Sequence, residues 1–215
     1  ATQANEAGVN NANITISGDG GTLSSGAKLQ TVQGTIALAG DNITLTNGAS
    51  AVETTSGAIT ISGDGFTLDD SASLTSDTGV VTFSGANAAV NSSATMQTDS
   101  SAISFTGTGA TVEGGATVKT TSSNITLAGD NAAIKSGVET NSGDVILSGS
   151  NTALNGGTVT TASGDINVTG SLNMTGDGTL EATSGTIAMD AAVTNAGGTE
   201  TLTLITSNAV TQANT

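Results

Sequence analysis

Aliphatic residues recur along this chain at a spacing far longer than a helical turn. Ile14, Ile36, Ile59, Val81, Ile103, Ile125, Val145, Ile166 and Ile187 stand roughly 22 residues apart, which is the period of a solenoid coil. Each of these anchors opens a short alternating stretch, as in Ile14-Thr15-Ile16, Ile59-Thr60-Ile61 and Ile125-Thr126-Leu127, the period-2 pattern of a strand with one buried face. A second apolar column lies nine residues past the anchor at Leu23, Leu45, Leu68, Val90, Val112, Ile134 and Leu154, with Met174 one residue early. A third follows later in each coil at Leu29, Val52, Leu74, Met96, Val118, Val138, Val159 and Leu180. Three strands per coil predict an all-β fold: a right-handed parallel β-helix (β-solenoid), triangular, of about nine coils of roughly 20–23 residues, right-handed as parallel crossovers are. At about 4.8 Å per coil, nine coils make a rod about 43 Å long.

Between the columns lie turn residues. Four positions after every anchor but the last stands a glycine: Gly18, Gly40, Gly63, Gly85, Gly107, Gly129, Gly149 and Gly170. Six positions after the anchor the chain reads Gly20, Asn42, Gly65, Asn87, Gly109, Asn131 and Asn151. Gly and Asn are the residues that best tolerate positive φ, so this column predicts a corner held in the left-handed conformation. A second corner carries Gly26, Gly48, Gly115, Gly157 and Gly178, with Ser71 and Ser93 in the same place in other coils. One domain is expected over 14–190, preceded by a polar segment 1–13. After Asp190 the register fails, and 191–215 reads as an irregular final coil with a strand at 201–206 (TLTLIT) and a polar tail.

Composition agrees with a repeat and not with a conventional globule. There are 30 Gly, no Trp, Tyr, Pro, Cys, His or Arg, and only three aromatics, Phe66, Phe83 and Phe105. Charged residues make up only 10% and mean hydropathy is slightly positive, so the high-charge, low-hydropathy mark of disorder is missing. Proline is excluded from a fold in which every strand donates to a ladder. Equivalent residues stack in such a fold, so Phe83 and Phe105 should meet in adjacent coils.

Net charge is −15, with Lys28, Lys119 and Lys135 as the only cations. Nucleic acid is therefore not an expected partner, having no basic stripe to dock on. Anionic membrane surfaces are disfavoured for the same reason, and no apolar run approaches the roughly 20 residues of a membrane span. Without cysteine there are no disulfides or thiolate sites, and the redox compartment is left open. A start without Met or a basic, apolar leader fits a mature product after signal removal or an excised fragment.

Parallel β-helices host polysaccharide lyases and hydrolases, whose chemistry needs paired carboxylates or a base with Arg or Lys. Arg and His are absent, and the only adjacent acids, Asp69 and Asp70, read as a solvated turn. No catalytic residue and no organic cofactor is expected, and the chain is not expected to be an enzyme. Asp19, Asp41 and Asp64 follow the glycine in three successive coils, and Asp130 repeats the position. Carboxylates stacked about 4.8 Å apart repel by roughly 1 kcal/mol even in water, and a Ca²⁺ ion held by them would relieve this. The favoured reading is a hydrated corner, because the column lapses at Ala86 and Thr108.

On the outside of the first strand, Thr15/Ser17, Thr60/Ser62, Thr82/Ser84 and Ser104/Thr106 form a hydroxyl array similar to the ice-binding face of some solenoids, interrupted by Ala37/Ala39, Ile146, Asn167 and Asp190. Outside the third strand, Lys119 and Glu139 should pair across one coil. The Asn-x-Thr triplets at Asn13, Asn42, Asn124, Asn167 and Asn173 would matter only in a glycosylating host.

The phrasing of 56–64 (SGAITISGD), 123–131 (SNITLAGDN) and 201–212 (TLTLITSNAVTQ) resembles the coils of filamentous-haemagglutinin-type exoproteins and related giant bacterial surface adhesins. The likeness spans about 12–210; the Asn-Pro motifs of that family's secretion domain are not found in this proline-free chain. It implies a secreted, cell-surface β-helix used in adhesion or fibre building. The sequence shows no polar cap at either end of the rod, which predicts self-association end to end into filaments, or a shaft whose neighbouring segments lie elsewhere. A cell-surface or glycan target is the further expected partner. The alternatives are an ice-binding solenoid and a carbohydrate-binding or polysaccharide-processing β-helix.

Overall fold

The computed structural model describes residues 11–24, 26–46, 51–69, 71–195 and 198–212. Gly48, Asp70 and most of the 1–13 segment lie outside them. The chain is a β-solenoid of about nine coils in which three sheets, of ten, nine and nine strands, run the length of the rod with every neighbouring pair parallel. Sequential strands pass from sheet to sheet, so each strand pairs only with its counterparts one coil away.

Register follows the apolar columns. In the first sheet Ile14, Ile36, Ile59, Val81 and Ile103 face one another in succession. Ile125, Val145, Ile166 and Ile187 continue the line. Leu23 to Leu45 and Leu68 begin the same kind of line in the second sheet, and Leu29 to Val52 and Leu74 in the third. A slip of one residue would turn a whole apolar column outward, which is why the pattern specifies the pairing. These columns meet in one continuous core of buried aliphatic side chains with three phenylalanines in its middle.

Packing there is compensated from corner to corner. Phe83 and Phe105 stack with ring centroids 4.7 Å apart, and Phe66 leans on Phe83 at 5.5 Å, tilted by 57°. The coils that place Phe83 and Phe105 on the first strand put Ala88 and Ala110 five residues later, whereas the coil with Ile61 there carries Phe66, and all of these are buried. Large faces small within a coil, so the cross-section keeps a constant volume.

All seven residues of the Gly/Asn column have positive φ, from +54° at Asn42 to +73° at Gly109. At the second corner Gly26, Ser71, Ser93, Gly115 and Gly156 are left-handed. Gly157 and Gly178 are not among the left-handed residues there. This corner also absorbs the shorter coils: the step from Ile134 to Val138 is four residues, against six from Val112 to Val118. The glycines four past the anchor serve a different purpose. A Cβ on Gly40 would lie 2.2 Å from the Gly18 carbonyl oxygen, and one on Gly107 would lie 1.9 Å from that of Gly85. They let adjacent coils close to strand spacing where the chain turns.

Past Asp190 the columns lose their apolar regularity, yet the solenoid goes on. Strand Val193–Asn195 pairs with Leu172–Met174, Leu202–Thr206 with Gly178–Ala182, and Val210–Gln212 with Ile187–Met189. The polar step from Met174 to Asn195 interrupts the second column, but backbone pairing does not depend on the side chain at that place.

Candidate functional site

The acidic corner is the strongest sequence candidate for ligand chemistry, and the structure shows what its carboxylates do. Asp19, Asp41, Asp64 and Asp130 are exposed beside the left-handed residue of their coils. That residue turns its N–H forward to the next coil: Gly20 donates to the Asp41 carbonyl at 2.7 Å and Asn42 to the Asp64 carbonyl at 2.7 Å. The preceding N–H points backward, where the aspartate side chain of the earlier coil meets it. Asp41 N–H donates to Asp19 Oδ1 at 3.0 Å, Asp64 N–H to Asp41 Oδ1 at 2.9 Å and Ala86 N–H to Asp64 Oδ1 at 2.7 Å. Asp130 Oδ1 likewise accepts from Ser150 N–H at 2.8 Å. Each carboxylate is thus a staple from one coil to the next, and the stacked charges are balanced by amide dipoles. Asp19, Asp41 and Asp64 lie one above another and Asp130 lies apart from them; among the described residues no group of three or more acid, His or Cys side chains gathers to hold a metal ion.

A second ladder of the same kind stands just before the anchors and went unread in the sequence. Asn13 Oδ1 accepts from Thr35 N–H at 2.9 Å and Asn124 Oδ1 from Asp144 N–H at 2.8 Å. Asp144 Oδ1 accepts from Asp165 N–H at 2.9 Å, and Asp165 Oδ1 from Thr186 N–H at 2.7 Å. Two of the Asn-x-Thr asparagines, Asn13 and Asn124, therefore work as inter-coil acceptors. An Asx residue directly before the anchor was the available signal.

The third corner is held from inside. Thr31, Thr54, Ser76, Thr98, Thr120, Thr140 and Thr161 form a buried hydroxyl column on the third sheet. Gly34, Gly57 and Gly79 N–H donate to Thr31, Thr54 and Ser76 hydroxyls at 2.9–3.0 Å, and Gly143 and Gly164 to Thr140 and Thr161 at 2.9–3.0 Å. Where Ser101 and Ser123 replace the glycine, the Thr98 and Thr120 hydroxyls donate to the serine carbonyls instead. Thr120 also reaches the Thr140 hydroxyl at 3.0 Å. Among the described residues no buried side-chain polar atom lacks a partner. A hydroxyl three residues before a Gly or Ser, repeated in seven coils, marks this ladder in the sequence.

All three cations are paired across coils. Lys119 meets Glu139 at 2.9 Å as the column order predicts, and Lys28–Glu53 and Lys135–Glu113 each close at 2.8 Å. These pairs are part-exposed and worth under about 1 kcal/mol each. Asp69 closes a turn, its carbonyl accepting from Ala72 N–H at 2.9 Å. The outward hydroxyls Thr60, Thr82 and Ser104 stand in register with Thr126, flanked by Ala37 and Ile146.

Among the described residues, the outermost strands of the three sheets are Ile14–Ile16, Thr22–Leu23 and Lys28–Thr31 on one side and Val210–Gln212, Val193–Asn195 and Leu202–Thr206 on the other. In the last described coil Val193, Leu202 and Leu204 are half-buried and Val210 is 47% exposed, while their counterparts Leu172, Gly178, Leu180 and Ile187 are buried. Comparison with protein-family models, curated proteins and solved structures gives no match to the chain.

Proposed function

We propose that the chain is a structural and adhesive rod of the outer cell surface, either a fibre subunit or the shaft segment of a surface adhesin. One observation carries this reading: the stacked corner aspartates, the buried hydroxyls and all three lysines hold coil to coil, through the aspartate staples, the threonine ladder and the three ion pairs. A molecule with so much of its polar chemistry placed between its own coils is suited to bearing length and load. Proline-free, uninterrupted ladders fit the same use, since a solenoid resists bending and local opening only if no rung is missing. Extracellular placement and the likeness to haemagglutinin-type adhesins rest on the coil phrasing alone.

The experiment is immunogold electron microscopy of intact producing cells with antibody to the purified rod. Labelled filaments or stalks on the outer surface are expected; label confined to the cell interior overturns the reading. A second reading, ice binding, is favoured by the in-register run Thr60, Thr82, Ser104 and Thr126 on one sheet. Thermal hysteresis decides it: no freezing-point gap at millimolar protein removes this alternative.

A further inference from the structure

Among the described residues one asparagine is followed by glycine: Asn155, ahead of Gly156 and Gly157. The same pair at Asn47 and Gly48 lies outside them. Asn155 and Gly156 are both exposed at the second corner, where Gly156 is left-handed at φ +76°. A glycine there leaves its amide nitrogen unshielded, because no Cβ stands beside it.

Other Asx residues of the corners are engaged or shielded. Asn13 and Asn124 accept N–H groups from the next coil and precede the buried Ile14 and Ile125. Asn42 and Asn131, in the left-handed column, precede the buried Ile43 and Ala132. Asp177 also precedes a glycine, but its carboxylate accepts from Thr201 N–H at 2.8 Å and Gly178 is buried.

The second corner tolerates a change of chain length as well. From the second column to the third the step is six residues at Val112 to Val118, five at Leu154 to Val159 and four at Ile134 to Val138. An additional backbone atom at Asn155 can be absorbed there. The glycine corner has no such room, since a Cβ on Gly149 or Gly170 would collide with the carbonyl of the preceding coil. A carboxylate at 155 would also arrive one coil beyond Lys135, which pairs with Glu113 on its other side at 2.8 Å, so it would not meet like charge alone.

We propose that Asn155 is a site of spontaneous deamidation in the folded rod, yielding aspartate and isoaspartate at the second corner. The Gly156 N–H is held by the Asp177 carbonyl, so the corner first opens locally and hydroxide takes that proton. The nitrogen then attacks Asn155 Cγ; the new N–C bond closes a succinimide ring, and Nδ2 leaves as ammonia with a proton from water. Water opens the ring. Cleavage of the N–Cγ bond restores the ordinary chain as aspartate. Cleavage at the Asn155 backbone carbonyl leaves the chain running through Cβ and Cγ as isoaspartate, one backbone atom longer. A neutral corner thus becomes anionic with age, by a chemistry independent of where the rod is used.

The test is peptide mapping by mass spectrometry of the purified full chain after warm incubation at mildly alkaline pH, with fragmentation that separates aspartate from isoaspartate. Asn141, exposed and followed by the exposed Ser142, is the internal standard. Acid should accumulate at 155 well ahead of 141, as a mixture of both isomers, with an unchanged far-UV circular dichroism spectrum. Gly156→Ala should lose this lead. Because alanine at a left-handed position can disturb the corner, Asn155→Gln serves as a second variant that keeps Gly156; position 155 should then stay amide, its longer side chain closing the ring far more slowly. The site is overturned if Asn141 converts as fast as Asn155 in the parent chain, if aspartate forms at 155 without isoaspartate, or if Asn155→Gln converts at the parent rate. Attack by the Gly156 nitrogen is overturned if Gly156→Ala keeps the lead with parent-like dichroism. Loss of dichroism as 155 converts would overturn the tolerance of this corner for the longer backbone.

Discussion

In the middle of the rod Phe83 and Phe105 are about 1% exposed, sealed by coils above and below, whereas in the last coil Val210 is 47% exposed and Asn195 takes the place of a core residue. Both regions have the same three strands and the same parallel pairing. The difference shows that two separable forces build a coil. Backbone ladders continue wherever a neighbour offers an edge; burial of side chains needs a coil on each side. A central coil has both and the last described coil has one, so local stability should be lower there than in the middle.

The largest effect expected in breaking this contrast is at the aromatic stack. Phe83→Ala leaves a cavity between Phe66 and Phe105 and should cost about 3–5 kcal/mol, read as earlier denaturant unfolding by far-UV circular dichroism. Val210→Ala, by contrast, should change stability by less than about 0.5 kcal/mol. An equal loss at both places would mean that the end coil is as sealed as the middle.

Next is the close approach at the glycine corner. Gly107→Ala sets a methyl group 1.9 Å from the Gly85 carbonyl oxygen and must force two coils apart, at about 2–4 kcal/mol. Hydrogen exchange should rise in the strands of these two coils before the rest of the rod.

Thr120→Val keeps the shape and deletes the buried hydroxyl that bonds Thr140 and the Ser123 carbonyl. A loss of about 1–3 kcal/mol is expected, with faster exchange at the third corner of the same coils.

The smallest effects lie on the surface of the corner. Asn131→Ala places a Cβ-bearing residue without local polar compensation at φ +57° and should cost about 1 kcal/mol, while Asn131→Gly should be neutral or slightly stabilising. Lys135→Met, which removes a half-exposed pair with Glu113, should cost under about 1 kcal/mol and less still in high salt.

Much of the architecture was readable from the chain because it is written at two ranges. Alternation within a few neighbouring residues marks a strand, and repetition once per coil aligns one strand with the next, so the three columns and the left-handed Gly/Asn corner follow from local sterics and stacking. The acidic corner was legible as a column but not as a set of staples. Whether Asp41 repels Asp19 or binds its own coil to it depends on where backbone N–H groups point, and that direction reverses between Asp41 and Asn42 at the corner. The diagonal Lys28–Glu53 pair was missed for a related reason: Lys28 faces Ala51 in register and reaches Glu53 only along the strand.

The sequence by itself determined the period, the number of strands per coil and the identity of the core columns, since these depend only on the order of apolar, polar and turn residues. Tertiary structure alone decided which side-chain oxygen meets which amide, how Phe66, Phe83 and Phe105 share the interior, and that the solenoid continues past Asp190. Those outcomes depend on distances between groups about a coil or more apart in the chain, which packing sets and no local pattern encodes.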